Sequence, residues 1–131
     1  MEHEVWLNKA AENLAAAQLC FEHGQYNACA NRLYYARFHA ALAALAQGNF
    51  DPARGKVSHE WLQANFTSRF IHRRKIFHAK FRSYLSDAQA LRDIADYKLF
   101  AVSKDAVSRE LKKAVEFVNM IKQEVAHEAQ S

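Results

Sequence analysis

Asn31-Arg32-Leu33-Tyr34-Tyr35-Ala36-Arg37-Phe38-His39-Ala40 is the stretch that decides how this chain folds. It lies inside a run from Gln25 to Gln47 that holds no Gly or Pro and is rich in Ala, so nothing interrupts a helix there. At about 100° per residue, Tyr34, Phe38, Ala41 and Leu45 fall on one side and form the apolar stripe that a packed helix needs. Arg32, Tyr35 and His39 make a second row beside it, at i, i+3 and i+7, on the margin of the core. A helix of pure scaffold needs only the first stripe. The second row therefore serves either a site or an interface between two chains. In it, Arg32 either pairs at a buried edge with an acid from another helix or holds a phosphate or a partner's carboxylate. Tyr35 and His39 read as packing residues with hydrogen-bonded polar tips.

Outward from this helix the pattern repeats. A first helix runs from about Glu4 to His23, with Trp6, Leu7, Ala10, Leu14, Ala17 and Phe21 on its buried face and Gly24 where a C-terminal cap belongs. The second helix, about Tyr26 to Ala46, stops at Gly48, and Asn49, Asp51, Pro52 and Gly55 mark residues 48–57 as the long loop. Ser58 caps a short third helix carrying Trp61, Leu62, Phe66 and Phe70, and His72-Arg73-Arg74-Lys75 breaks or bends it. Phe77, Phe81, Tyr84, Ala88, Leu91 and Ala95 give a fourth helix. Ser103 caps the last, whose stripe is Val107, Leu111, Ala114, Val118, Ile121 and Val125. Short connections between long amphipathic helices favour antiparallel neighbours. The expected fold is all-α: an up-and-down antiparallel helical bundle of four long helices plus one short helix, a single domain over residues 1–131.

Composition agrees. With three Gly and one Pro in 131 residues, the chain lacks the punctuation that strands and tight turns require. No apolar run approaches the roughly 18 residues of a membrane span, and the acidic start (Glu2, Glu4) does not read as a secretion signal. Cys20 and Cys29 read as a reduced pair, which points to the cytoplasm. There is no Gly-rich phosphate loop, no HExxH and no Cys/His cluster, so no metal site and no cofactor is expected.

The net charge of +4 is unevenly placed. Acids and bases nearly balance over residues 1–58 and 87–131, but between His59 and Ser86 six bases face one acid, Glu60. Those bases are Arg69, Arg73, Arg74, Lys75, Lys80 and Arg82, interleaved with Phe66, Phe70, Phe77 and Phe81. The segment is either a phosphate-contacting surface or a solvated helix junction. Arg73 and His78 also give an Arg-x4-His spacing. An imidazole that titrates near neutrality can take the proton of a 2′-hydroxyl, and a guanidinium can stabilise the charge that builds on phosphorus oxygens. Farther on, Arg92-Asp93-Ile94-Ala95-Asp96-Tyr97 closes the fourth helix. Arg92 and Asp96, at i and i+4, form either an intrahelical ion pair or, with Tyr97, part of a groove.

These segments together resemble the HEPN family of small helical proteins. The likeness runs from the Ala-rich first helix and Gly24-Gln25-Tyr26-Asn27-Ala28-Cys29-Ala30 through the Asn31–Ala40 stretch. It continues in Lys56-Val57-Ser58-His59, Arg92-Asp93-Ile94-Ala95-Asp96-Tyr97 and Ala114-Val115-Glu116-Phe117-Val118. The resemblance implies a helical bundle that dimerises, a minimal nucleotidyltransferase as partner in a toxin–antitoxin-like pair, and RNA or a nucleotide as ligand. It also implies a metal-independent ribonuclease site in the cleft between subunits, with a nearby Tyr that the transferase modifies with AMP. Nuclease members carry Arg-x4-6-His at this point; counting from Arg92, the candidates are Tyr97, Lys98 and Leu99, and none is His. The leading expectation is therefore a cytoplasmic dimeric binding module, with Arg32, Tyr35, His39, Asp96 and Tyr97 lining its cleft and Arg92 carried over from the motif. The alternatives are a ribonuclease working through Arg92 or through Arg73 and His78, and a scaffold that touches no nucleic acid.

Overall fold

A computed structural model describes residues 2–47, 58–75, 77–98 and 101–130. All of its regular structure is helical: α1 (Glu2–Glu22), α2 (Tyr26–Gln47), α3 (His59–Phe66), α4 (Arg82–Tyr97) and α5 (Lys104–Gln130). A π-helical stretch, Thr67–Arg73, prolongs α3, and a 3-10 turn, Ala79–Phe81, leads into α4. The expected stop at Gly48, the loop of residues 48–57 and Leu99 lie outside the described residues.

The helix ends follow local chemistry. After α1 the chain enters the left-handed region at Gly24 (φ 73°), where a side chain would add strain. Gln25 N–H then donates to the Cys20 carbonyl at 2.8 Å and Gly24 N–H to the Phe21 carbonyl at 3.1 Å, which closes the helix with paired reverse bonds. Ser58 Oγ accepts from Trp61 N–H at 3.0 Å and Ser103 Oγ from Ala106 N–H at 3.1 Å, so both serines satisfy otherwise orphaned donors of α3 and α5.

α2 is the central element, packed against α1, α4 and α5. Its small residues explain this placement: Ala30, Ala36, Ala40, Ala41, Ala43 and Ala44 are all buried, and short side chains let neighbouring backbones approach from several sides. Near the Gly24 turn, Ala17, Cys29, Ala30 and Leu33 meet Val107 and Ala114 of α5. Farther along, Leu45, Leu62, Phe66, Phe117 and Ile121 form the larger core. Phe66 stacks on Phe77 (centroids 5.6 Å) and tilts against Phe117 (5.4 Å).

Two details differ from the sequence reading. The helical wind runs on through His72 and Arg73 as π turns, and the chain breaks only at Arg74 and Lys75, the latter at φ 51°. α4 then begins at Arg82, five residues later than the apolar spacing from Phe77 suggests. Phe77 is still buried, but its N–H donates back to the Phe70 carbonyl at 3.2 Å, so it belongs to a turn folded onto the end of the π stretch. Hydrophobic spacing reports which side chains are buried, and a turn can bury them as well as a helix.

Arg37 holds the centre together. It is 0% exposed, and its Nη1 donates to Glu110 Oε1 and to the Tyr84 carbonyl, each at 2.8 Å. Its Nη2 donates to the Glu110 carbonyl. One guanidinium thus ties α2 to α4 and α5. Burial pulls its pKa below the usual range, with the Glu110 carboxylate opposing that shift.

Candidate binding cluster around Arg92

The second row of α2 meets the end of α4 at a polar, aromatic seam. Packing on α1 and α4 leaves Tyr34 in the core, while Tyr35, Phe38 and His39 lie half-buried at its edge. Arg92, one turn before the end of α4, places its Cζ 5.4 Å from the Tyr34 ring centre, 5.5 Å from Tyr35 and 5.9 Å from Tyr97. Three aromatic faces stabilise this cation through their quadrupoles. Its Nε lies 3.3 Å from Asp96 Oδ2, the expected i, i+4 pair, but without the alignment of a hydrogen bond.

Asp96 also accepts from Asn31 Nδ2 at 2.9 Å. Asn31 Oδ1 in turn accepts from Arg32 Nε at 3.2 Å and from Arg32 Nη2, while Asn13 Oδ1 accepts from Arg32 Nη1 at 2.9 Å. Of the two roles open to Arg32, pairing with an acid finds no partner among the described residues, and two amide oxygens hold the guanidinium. Amides orient a guanidinium without cancelling its charge. Arg32 Cζ sits 5.5 Å from the Tyr35 ring, so two cations contact one tyrosine.

Asn13 Nδ2 lies 3.1 Å from His39 Nδ1, and Trp6 stacks on the imidazole with centroids 5.6 Å apart. Burial, then Lys9 and Arg32, push the His39 pKa down to about 4. The ring is therefore neutral near pH 7, and its Nδ1 accepts the Asn13 amide proton. Beside it a cleft of about 280 Å³ is lined by Lys9, Glu12, Asn13, Ala16, Arg32 and His39.

The structure gives a place to a residue that the sequence reading quoted without assigning a role. His59, the first residue of α3, packs its ring 5.1 Å from Tyr34 and 5.6 Å from Phe38, and its Nδ1 is hydrogen-bonded to the Tyr34 hydroxyl. The Ser58 cap fixes where α3 starts and so where His59 stands; nothing in the sequence placed it on Tyr34. Arg37 was likewise quoted without a role, although a signal existed. Its neighbours at i−4, i−3, i+3 and i+4 are Leu33, Tyr34, Ala40 and Ala41, an apolar setting that marks a cation buried with a partner.

The basic stretch is arranged differently from the cluster. Phe66, Phe70, Phe77 and Phe81 are buried, so they build core rather than a stacking surface. Arg74 pairs with Glu128 at 3.7 Å and Lys80 with Glu116 at 3.4 Å, both at exposed positions. Arg69 is half-buried, while Lys75 and Arg82 are exposed. Arg73 and His78 are exposed and share no hydrogen bond or ring contact among the described residues; His78 Nδ1 instead accepts from Lys80 N–H at 2.9 Å and caps the 3-10 turn. Tyr97 is 71% exposed, with its ring against Arg92.

Residues 3–125 match the family model described as the HEPN domain. The chain belongs to the HEPN family. That span includes the whole Asn31–Ala40 stretch, His59, Arg92, Asp96 and Tyr97, so every part of the cluster lies within the HEPN match. No curated protein matches the chain. Among the described residues no helix is long and apolar enough to cross a membrane, and no group of three or more His, Cys, Asp or Glu side chains could hold a metal ion. What this HEPN domain offers at the seam is two oriented cations, a set of aromatic faces and two histidines.

Proposed function

We propose that this HEPN protein is a dimeric binding module whose Arg92 cluster takes a phosphate-bearing ligand, RNA or a nucleotide. One observation carries the reading: Arg92 and Arg32 both contact Tyr35, Arg32 is held by amide oxygens, and Arg92 meets its one carboxylate, Asp96, through Nε alone among the described residues. Guanidiniums held this way can each present free N–H donors to a phosphate. Tyr35 and the exposed Tyr97 offer faces on which a base can stack. The reading includes one domain over residues 1–131 and an up-and-down order of the long helices. That order is supported by the pairings Trp6–His39 with Phe21–Tyr26, Asn31–Asp96 with Arg37–Tyr84, and Tyr84–Glu116 with Asp87–Lys113. It also includes a cytoplasmic, toxin–antitoxin-like pairing with a minimal nucleotidyltransferase, for which the exposed Tyr97 would be the modified residue.

The test is binding of bulk tRNA in EDTA across a salt series. Affinity that falls steeply with salt, and is weakened by Arg92→Ala and Arg32→Ala, supports the module; affinity unchanged in both variants removes it. Sedimentation of the same samples reads the dimer.

A second reading, metal-independent ribonuclease, is favoured by the position of His59. It shares Tyr34 with Arg92 and supplies an imidazole where the Arg-x4-6-His spacing lacks one. Cleavage of the tRNA in EDTA that is lost in both Arg92→Ala and His59→Ala would establish the enzyme. Cleavage lost only in Arg73→Ala and His78→Ala would move the chemistry to the basic stretch.

A further inference from the structure

A second cleft, of about 580 Å³, opens between α3 with its π extension and the first turns of α4. Polar side chains edge its largely apolar floor: Glu60, Gln63, Thr67, Ser68 and His72 with Ala64 on one side, Arg82 and Ser86 on the other. Glu60 and Arg82 share this space, yet neither forms an ion pair among the described residues. An acceptor and a cation left apart in one cleft match a ligand that brings both a donor and an anion.

The π wind shapes this lining. Glu60, Gln63 and Thr67 follow one face of α3 at i, i+3 and i+7. Continued as an α-helix, Thr67 and His72 would point to well-separated sides. With i→i+5 bonding, as in Arg74 N–H to the Arg69 carbonyl at 3.1 Å, residues five apart come onto one side, and His72 joins the hydroxyls of Thr67 and Ser68. π turns are poorer helix and recur at functional sites.

The cleft also adjoins the Arg92 cluster. His59 and Glu60 are consecutive, one packed on Tyr34 and the other lining the cleft. Gln63, which lines the cleft, also donates its Nε2 to Gln89 Oε1 at 2.7 Å, tying α3 to α4 at a position between Ser86 and Arg92 in sequence. From Arg82 to Arg92 along α4 is about 15 Å at about 1.5 Å per residue, a distance that a short single strand can bridge.

We propose that this cleft is an RNA-selective subsite: Arg82 and His72 take a backbone phosphate, and the Glu60 carboxylate accepts the hydrogen bond of a neighbouring ribose 2′-hydroxyl. A carboxylate repels phosphate and rewards a 2′-hydroxyl donor, so the pair distinguishes RNA from DNA, which lacks that group. The inference rests on the nucleic-acid reading of the Arg92 cluster and adds the discrimination between the two polymers.

The test is fluorescence anisotropy with a single-stranded RNA and its DNA counterpart of identical sequence, using the full chain and variants checked for unchanged melting. The wild type should bind RNA about tenfold more tightly than DNA, the size expected of one hydrogen bond to a charged acceptor. Glu60→Gln should reduce that preference and leave DNA affinity equal or stronger. Arg82→Gln should weaken both polymers and flatten the salt dependence by about 0.7 in logarithmic slope. Equal affinity of the wild type for RNA and DNA, or an unchanged preference in Glu60→Gln, overturns the subsite. If Arg92→Ala still weakens both polymers in that case, the cluster reading stands without it; if the wild type binds neither polymer, both fall.

Discussion

Removing the carboxylate of Glu110 should cost more stability than removing the charge of Arg37 itself. Arg37 is fully buried, whereas the Glu110 side chain is 12% exposed and has a second partner in Lys113 Nζ at 3.2 Å. Glu110→Ala leaves a guanidinium in the core, held by the carbonyls of Tyr84 and residue 110. Loss of one member of a buried pair costs about 3–5 kcal/mol, and the surviving carbonyl bonds place this case near about 3 kcal/mol. Arg37→Met instead fills the space with an unbranched apolar chain. It leaves the partly buried Glu110 paired with Lys113, and both carbonyls belong to helices, so its cost should stay near about 1 kcal/mol. Against a total of roughly 5–15 kcal/mol the difference is easy to measure. Urea unfolding followed by far-ultraviolet circular dichroism gives both values, with a common m confirming a shared unfolded state. RNA affinity of the folded variants reports whether the Arg37 tie also sets α4, and so Arg92, against Tyr34. If Arg37→Met proves the more damaging change, the pair is a net source of stability and the argument from the unpaired buried charge is wrong.

Arg92→Ala should weaken RNA binding and flatten its logarithmic salt dependence by about 0.7, as expected for one lost phosphate contact; a loss of affinity at unchanged slope would mean that Arg92 only positions its tyrosines. His39 predicts a pH effect. Its folded pKa of about 4 lies below the ordinary value, so between about pH 6.5 and 4 the unfolded chain takes up a proton that the folded ring refuses. Stability present above about pH 6.5 is then lost as pH falls toward 4, by about 2 kcal/mol from this residue. Urea midpoints at pH 7 and 4.5 should therefore differ less in His39→Gln, which keeps an acceptor for Asn13 and cannot titrate; an equal difference removes His39 as the cause. Gly24→Ala should lower stability by about 1 kcal/mol in a thermal melt because its φ of 73° disfavours a β-carbon, and an unchanged melt would mean that the turn relaxes freely.

The element order was legible because each helix announces itself locally. Ser58 and Ser103 stand where N-caps are wanted, Gly24 where the chain must turn left-handed, and the stripe from Val107 to Val125 repeats at the helical period. The family could be read for the same reason, since its signature lies in contiguous segments such as Asn31–Ala40. Arg32, Tyr35 and His39 were legible as a marginal row because i, i+3 and i+7 geometry follows from the chain alone.

Contacts between segments far apart in sequence were not legible. Periodicity says that Tyr34 is buried and Arg92 amphipathic, but not that the end of α4 lies over α2, because helix register depends on packing summed over the whole core. The same sum places His59 on Tyr34, sets Asn13 and Asn31 beside Arg32, and turns the phenylalanines of the basic stretch inward. It also winds Thr67–Arg73 as π turns, which brings His72 to the cleft. The sequence by itself determined the helices, their order and the family, since those are encoded within a few turns of chain. Only the tertiary structure decided which rings and amides hold Arg92 and Arg32 and which histidine meets Tyr34, because charge compensation and proximity belong to residues brought together from different helices.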